Sequence, residues 1–128
     1  MVQINIHIMI ATTPERSKHL LELGLDPKTA DMMWDDWSLI NEGWKLSVGY
    51  YSEIEKDYGR KCYPAWSLSA LLEVMKEHCP ELLFLEAYWY CRCVQVESEY
   101  CDDPITAAYD VLCWLLEQGF IKKGDNDE

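Results

Sequence analysis

The sequence predicts a single α+β domain in which a short β-sheet is packed by about four helices. Three patterns support this fold class: strict alternation near the N-terminus, two short apolar runs in the second half, and helical spacing behind repeated helix-start signals. A chain of 128 residues with 49% apolar residues is long enough for one hydrophobic core and short for two domains. We place the domain at residues 1–121 and a charged, flexible tail at residues 122–128.

Four segments are predicted as strands. Residues 2–10 alternate between aliphatic and polar side chains, which is typical of a half-buried strand. Residues 44–51 contain strand-favouring Trp, Val and Tyr. The surrounding stretch 38–64 has poor periodicity, and the polar residues of 53–61 indicate an exposed loop, so 38–66 is treated as a loop region. Residues 82–85 and 88–97 are predicted as a hairpin. Because the second of these has apolar residues at both parities, we expect it to be covered on both faces.

Four helices are predicted, each behind a polar residue suited to an N-cap: 14–23, 27–37, 68–78 and 104–118. The helix at 27–37 follows Asp26 and Pro27 and is supported by an apolar stripe at i, i+3, i+4 and i+7: Ala30, Met33, Trp34 and Trp37. The helix at 104–118 follows Asp103 and Pro104. Its apolar residues lie on nearly every side, so it is predicted to be buried.

The charge is strongly negative and unevenly distributed. The formal net charge is −12; residues 1–64 carry 7 basic and 10 acidic residues, and residues 65–128 carry 4 and 13. Because nucleic acids and anionic membranes are bound mainly through Lys and Arg, this composition predicts no direct nucleic-acid binding and no membrane association. A protein with a basic surface is the partner that the charge favours, since carboxylates can steer such an encounter.

The compartment predicted from the sequence is the cytoplasm. The longest apolar run, 111–116, is far shorter than the roughly 20 residues that cross a bilayer. The N-terminus has no basic residue before its apolar stretch and does not resemble a secretory signal. The six cysteines are therefore interpreted as reduced thiols, most of them in the core.

A cysteine metal site is kept as an alternative. Cys91 and Cys93 would share one face of a strand, and Cys101 follows eight positions after Cys93. Structural zinc usually takes two close pairs of ligands, whereas only one close pair is present here. Packing is therefore the simpler interpretation of these three thiols.

Catalytic motifs are absent from the sequence. There is no nucleophile elbow, zinc-protease motif, phosphate-binding loop or dinucleotide-binding loop, so the sequence predicts no cofactor and no catalytic residue. A small enzyme or ligand-binding domain is kept as an alternative. Its pocket would lie under the 38–66 loop and would use a distant His or Cys, such as His7, His19 or Cys62.

Two groups of residues are predicted to contact a partner. Aromatic residues of the 38–66 region are suited to act as anchors, namely Trp44, Tyr50 and Tyr51. The acidic run before the last helix supplies Glu97, Glu99 and Asp102 as steering charges. Asp103, in the same run, is interpreted as a helix cap.

Three runs carry a resemblance to a known family: SKHLLELGLDPKTADMMW at 17–34, PAWSLSALL at 64–72 and AAYDVLCWLLEQG at 107–119. They resemble small uncharacterised proteins encoded by prophages and conjugative elements of anaerobic gut bacteria. No activity is assigned to that family, so the resemblance implies no functional residue. It implies an accessory protein of a phage or mobile element. With the acidity and the aromatic surplus, the sequence predicts a non-enzymatic protein-binding factor, which could inhibit a basic, nucleic-acid-handling host protein.

Overall fold

The protein has an α+β fold, and its described residues form two small antiparallel sheets rather than the single sheet predicted. A computed structural model describes residues 10–36, 43–48 and 62–123. Those residues contain three α-helices and two short 3₁₀ turns, at Pro27–Thr29 and Lys76–His78. The helices are α1 (Pro14–Glu22), α2 (Leu68–Val74) and α3 (Pro104–Glu117). The strands are β1 (Met32–Asp36), β2 (Trp44–Val48), β3 (Cys62–Ala65), β4 (Glu81–Leu85) and β5 (Tyr88–Arg92).

The predicted helix at 27–37 is wrong over residues 27–36, and residue 37 lies outside the described residues. Asp26 caps only a single 3₁₀ turn, with its Oδ1 accepting from the Lys28 amide at 3.0 Å, and Ala30 is already extended. The chain continues as β1, the central strand of a sheet ordered β2-β1-β3. Trp34, assigned to the helical stripe, instead donates its indole N–H to the Thr12 carbonyl at 2.7 Å. Pairing on both edges of β1 overrides the local helical spacing.

The C-terminal end of the 38–66 loop region is a buried strand, β3, whereas residues 53–61, predicted as an exposed loop, lie outside the described residues. The exposed fractions of Cys62 and Ala65 are 3% and 0%. Pro64 lies in register with Met33, and β3 is an edge strand, which is where a residue without an N–H is tolerated. The strand predicted at 44–51 is confirmed as β2 over Trp44–Val48. Its last part, and residues 2–9 of the strand predicted at 2–10, lie outside the described residues.

The predicted hairpin is confirmed as β4 and β5. Its two turn residues, Glu86 and Ala87, have φ of 54° and 73°, as a two-residue type I′ turn requires. The second strand ends earlier than predicted, at Arg92. The chain then reverses, and Trp89 and Cys101 exchange two backbone hydrogen bonds of 2.8 and 2.7 Å. β5 therefore has neighbours on both edges, but only one of its faces is covered.

The helices follow the predicted start signals more closely than the predicted lengths. Thr13 Oγ1 accepts from the Arg16 amide at 3.2 Å at the start of α1, and Asp103 Oδ1 accepts from the Thr106 amide at 2.8 Å at the start of α3. α2 ends at Val74, where a 3₁₀ turn replaces the last part of the helix predicted at 68–78. Three α-helices are thus described instead of about four.

The core is formed around α3. It packs against α1, α2 and β5 through a cluster whose largest fully buried members are Leu20, Trp66, Leu71, Met75, Leu112, Leu115 and Leu116. α3 is not buried on every side, because Asp110 and Glu117 are exposed. A second, much smaller cluster lies in the three-stranded sheet and is formed by Ala11, Met32 and Ala65. Among residues 10–36, 43–48 and 62–123, no helix is long and apolar enough to cross a membrane.

Candidate functional site

The outer face of the β4–β5 hairpin is open and apolar. Cross-strand partners share a face of a sheet, so Leu83 with Tyr90 and Leu85 with Tyr88 lie together on one side. The opposite side carries Cys91, which is fully buried against α3. On the outer side, Leu85 and Tyr88 remain 48% and 46% exposed. The hairpin therefore covers the core with one face and presents leucine and tyrosine on the other.

Tyr100 joins this face through a bulge. Arg92 pairs with Glu97, and Trp89 pairs with Cys101. Four residue steps separate Glu97 from Cys101, whereas three separate Trp89 from Arg92 in β5, so the segment that pairs with β5 contains one extra residue. The shift places the Tyr100 ring 5.3 Å from that of Tyr90 and 6.3 Å from that of Tyr88, nearly parallel to the latter. Tyr100 is 60% exposed.

We call this surface the tyrosine face and define it by five residues: Leu83, Leu85, Tyr88, Tyr90 and Tyr100.

Carboxylates border the tyrosine face. Glu97, Glu99 and Asp102 are all exposed, and they lie on the segment that carries Tyr100. Glu97 is in register with Arg92, whose Nε donates to Glu81 Oε1 at 2.7 Å. The hydrogen bond to Glu81, followed by the charges of Glu81 and Glu97, raises the pKa of Arg92. Arg92 is the one cation between residues 81 and 102 and is already paired, so this border has an excess of negative charge.

The predicted aromatic anchors do not lie on the tyrosine face. Trp44 belongs to β2 in the other sheet, where it is 37% exposed and its ring lies 5.7 Å from that of Tyr63. Tyr50 and Tyr51 lie outside the described residues. The structure thus places the three predicted carboxylates beside aromatic residues other than the predicted anchors. The signal in the sequence is the apolar content of 88–97 at both parities, which predicts burial on both faces rather than an exposed aromatic face.

The three cysteines of the metal-site alternative act as packed or hydrogen-bonding thiols. Burial raises the pKa of Cys91 to about 11, with smaller contributions from neighbouring Cys93 and Cys101. Cys93 donates to Gln95 Oε1 at 3.4 Å, and Cys101 donates to the Glu99 carbonyl at 3.2 Å. Within the described ranges, no group of three or more His, Cys, Asp or Glu side chains is arranged to hold a metal ion. The six cysteines form no disulfide, and Cys79 is exposed, contrary to a core role for that residue.

A cleft of about 410 Å³ lies at a different place from the predicted pocket under the 38–66 loop. It is bounded by residues 25–29, the 3₁₀ turn Lys76–His78 and residues 120–123; we call it the C-terminal cleft. Of the residues proposed for the pocket, Cys62 is buried and donates to Asp35 Oδ1 at 2.9 Å. His19 lies on α1, 3.7 Å from Glu22, and His7 is outside the described residues.

Comparison of the chain with protein-family models, with curated proteins and with solved structures found no match.

Proposed function

We propose that this chain is a non-enzymatic binding protein that docks on a basic protein surface through the tyrosine face. The observation that carries the proposal is the juxtaposition of exposed apolar side chains, Leu85, Tyr88 and Tyr100, with the carboxylates that border them. Apolar residues scattered singly on a surface need no explanation, but a contiguous patch rimmed by polar groups is typical of an interaction site.

The chemistry of the face favours arginine and lysine as the groups recognised. Tyrosine rings attract a cation placed over their faces, and a neighbouring carboxylate accepts hydrogen bonds from the same guanidinium. Glu99 and Asp102 stand on either side of Tyr100 in the chain, so both kinds of contact are offered within a few residues. A basic partner is also favoured at longer range, because residues 65–128 have a net charge of −9 from 4 basic and 13 acidic residues.

The architecture suits docking because the face is held by rigid elements. β5 is fixed by β4 on one edge, by residues 97–101 on the other and by α3 underneath. Little ordering of this surface is needed on binding, and a pre-organised surface loses less free energy when it associates. Tyrosine, with few rotatable bonds, is among the residues that dominate binding energy at protein interfaces.

The biological setting remains a proposal that rests on the sequence resemblance. We propose an accessory protein of a phage or mobile element, acting in the bacterial cytoplasm. An acidic surface with aromatic anchors is suited to occupy the groove in which a partner protein otherwise binds the phosphate backbone of a nucleic acid. The basic partner would then be a nucleic-acid-handling protein of the host, and docking would inhibit it.

The test combines affinity capture with paired variants. Proteins captured from a bacterial lysate are purified, and their affinity for the full chain is measured by calorimetry. Tyr88→Ser with Tyr100→Ser is expected to weaken the specific complex at least about tenfold. Val48→Ser removes an apolar residue that is 84% exposed on the other sheet, and it is expected to leave the affinity unchanged.

The acidic border is tested in the same way. Glu99→Gln with Asp102→Asn is expected to weaken binding about fivefold and to flatten its dependence on salt. Glu15→Gln with Glu117→Gln removes two exposed carboxylates from α1 and α3 and serves as the control. A captured protein whose affinity responds equally to the tyrosine-face and control variants would refute the proposal, as would a partner without a basic surface.

A further inference from the structure

The C-terminal cleft is lined by both apolar and cationic side chains. The apolar residues include Leu25, Val74, Phe120 and Ile121, and the cationic residues are Lys76, Lys122 and Lys123. A concave site of this volume that combines apolar side chains with a few polar groups is a common form of a small-molecule site.

The cleft gathers most of the positive charge of residues 65–128. Residues 65–128 contain only four Lys or Arg residues; Arg92 is paired with Glu81, and the other three line the cleft. Within residues 10–36, 43–48 and 62–123, neither Lys122 nor Lys123 has a carboxylate at ion-pair distance.

The remaining charges of the cleft balance one another, apart from their pairing. Lys76 binds Glu73 at 2.8 Å, but both side chains are more than half exposed, and an ion pair of this kind is weak enough to exchange. Asp26 and Glu77 also line the cleft, so with Glu73 three carboxylates stand against three ammonium groups. Lys122 and Lys123 are the two ammonium groups of the cleft that no described carboxylate pairs with, on a protein whose net charge is −12.

Residues 120–123 form one wall of the cleft, which carries Lys122 and Lys123 and is held in place by hydrogen bonds and aromatic packing. The Phe120 amide donates to the Leu115 carbonyl at 2.9 Å, and the Phe120 carbonyl accepts from His78 Nε2 at 3.2 Å. The Phe120 ring stacks on Trp114 at 5.6 Å, yet it remains 46% exposed. An aromatic surface fixed by its neighbours is thus left open toward the cleft.

Gly24 leaves room for the Lys123 side chain beside this wall. Its φ is +98°, and a Cβ added there would lie 2.7 Å from Lys123 Cδ and 2.8 Å from Cγ. The Lys123 methylenes therefore cross the backbone at the end of α1, and a side chain at position 24 would have to displace them.

We propose that the C-terminal cleft binds a small organic anion with a flat apolar body, such as an aromatic carboxylate, sulfonate or phosphate. The flat body contacts Phe120 and Val74, and the acidic group is neutralised by Lys122 and Lys123. This site is distinct from the tyrosine face and does not depend on the proposed function.

The test uses the full chain and 8-anilinonaphthalene-1-sulfonate, an aromatic sulfonate that fluoresces when it is bound. Its affinity is compared with that of N-phenyl-1-naphthylamine, which has a similar body without the charge. The sulfonate is expected to bind at least about tenfold more tightly. Amide shifts in NMR spectra are expected to concentrate at residues 119–123.

Paired variants locate the site. Lys122→Gln and Lys123→Gln are each expected to weaken sulfonate binding about threefold or more, and Phe120→Ala about tenfold. Lys18→Gln, at an exposed position of α1, is the matched control and should have no effect. Tyr88→Ser with Tyr100→Ser should also leave the affinity unchanged, which separates this site from the tyrosine face. Equal affinity for the charged and neutral probes, or shifts confined to the tyrosine face, would overturn the proposal.

Discussion

Two adjacent aspartates, Asp102 and Asp103, should have different functions, because Asp103 caps α3 and Asp102 borders the proposed binding surface. Substituting each by alanine distinguishes the two functions. Asp103 Oδ1 accepts from the Thr106 amide at 2.8 Å, and its Oδ2 accepts from the Thr106 hydroxyl at 2.8 Å. Asp102 is exposed and borders the tyrosine face. Asp103→Ala is therefore expected to lower the free energy of unfolding, and Asp102→Ala is expected to lower only the affinity for a basic partner.

The magnitude for Asp103 follows from the two hydrogen bonds. Loss of an N-cap acceptor costs about 1 kcal/mol. Loss of the second bond, which joins a hydroxyl to a charged group, costs about another 1 kcal/mol. The Thr106 hydroxyl keeps its bond from Arg16 Nη1 at 2.8 Å, so it is not left without a partner. A total of about 2 kcal/mol is a large share of the 5–15 kcal/mol that usually stabilises a domain.

Urea denaturation monitored by far-UV circular dichroism measures this difference. With the slope usual for a small protein, about 2 kcal/mol lowers the urea midpoint by about 1 M. Asp102→Ala should change the free energy of unfolding by less than about 0.5 kcal/mol. Asp103→Asn, which retains a side-chain oxygen as an acceptor, should recover most of the loss. Equal midpoints for the Asp102 and Asp103 alanine variants would refute the assignment of the cap.

Two further predictions concern backbone strain and thiol ionisation. Gly24→Ala and Gly119→Ala should each lower the free energy of unfolding by about 1 kcal/mol, because both residues have positive φ, and urea denaturation checks this. The Lys123 side chain can move aside, so the two substitutions should lower the free energy of unfolding by similar amounts. A loss at Gly24 that exceeds the loss at Gly119 by more than about 1 kcal/mol would contradict this account. Burial raises the pKa of Cys91 and Cys113 from 9.0 to about 11. Between these pH values only the unfolded state loses the proton, so stability should fall as pH rises through this window; Cys91→Ala should reduce that slope, and an unchanged slope would contradict the assignment.

Local signals in the sequence predict the parts of the fold that depend on neighbouring residues. Thr13 and Asp103 cap helices through amides only three residues away, so a short stretch of sequence specifies both helix starts. The turn at Glu86 and Ala87 is likewise set by the two apolar strands on either side of it.

The parts that were wrong depend on distant pairing. β1 is a strand because residues 62–65 and 44–48 supply edges on both of its sides, and neither segment is adjacent in the sequence. Asp31 receives hydrogen bonds from the amide and hydroxyl of Ser67, which fixes the chain in an extended path just before β1. Such contacts give no periodic signal, whereas the apolar stripe from Ala30 to Trp37 gives a false helical one.

The sequence predicts only the acidic part of the candidate site, because the aromatic part depends on distant pairing. The carboxylates Glu97, Glu99 and Asp102 could be selected because an acidic run is visible in the sequence. The position of Tyr100 beside Tyr90 depends on a bulge that shifts the register by one residue, and no sequence pattern specifies that shift.

The separation of the apolar side chains into two clusters of unequal size has a consequence for motion in the native state. Among the described residues, the cluster of Ala11, Met32 and Ala65 has far fewer members than the cluster around α3, and two partly buried side chains, Trp34 and Leu46, complete it. We therefore expect cooperative opening of the β2-β1-β3 sheet to need less free energy than global unfolding, and its amides to exchange with solvent before those of α3. The tyrosine face rests on the larger cluster and is expected to stay formed while the other sheet opens.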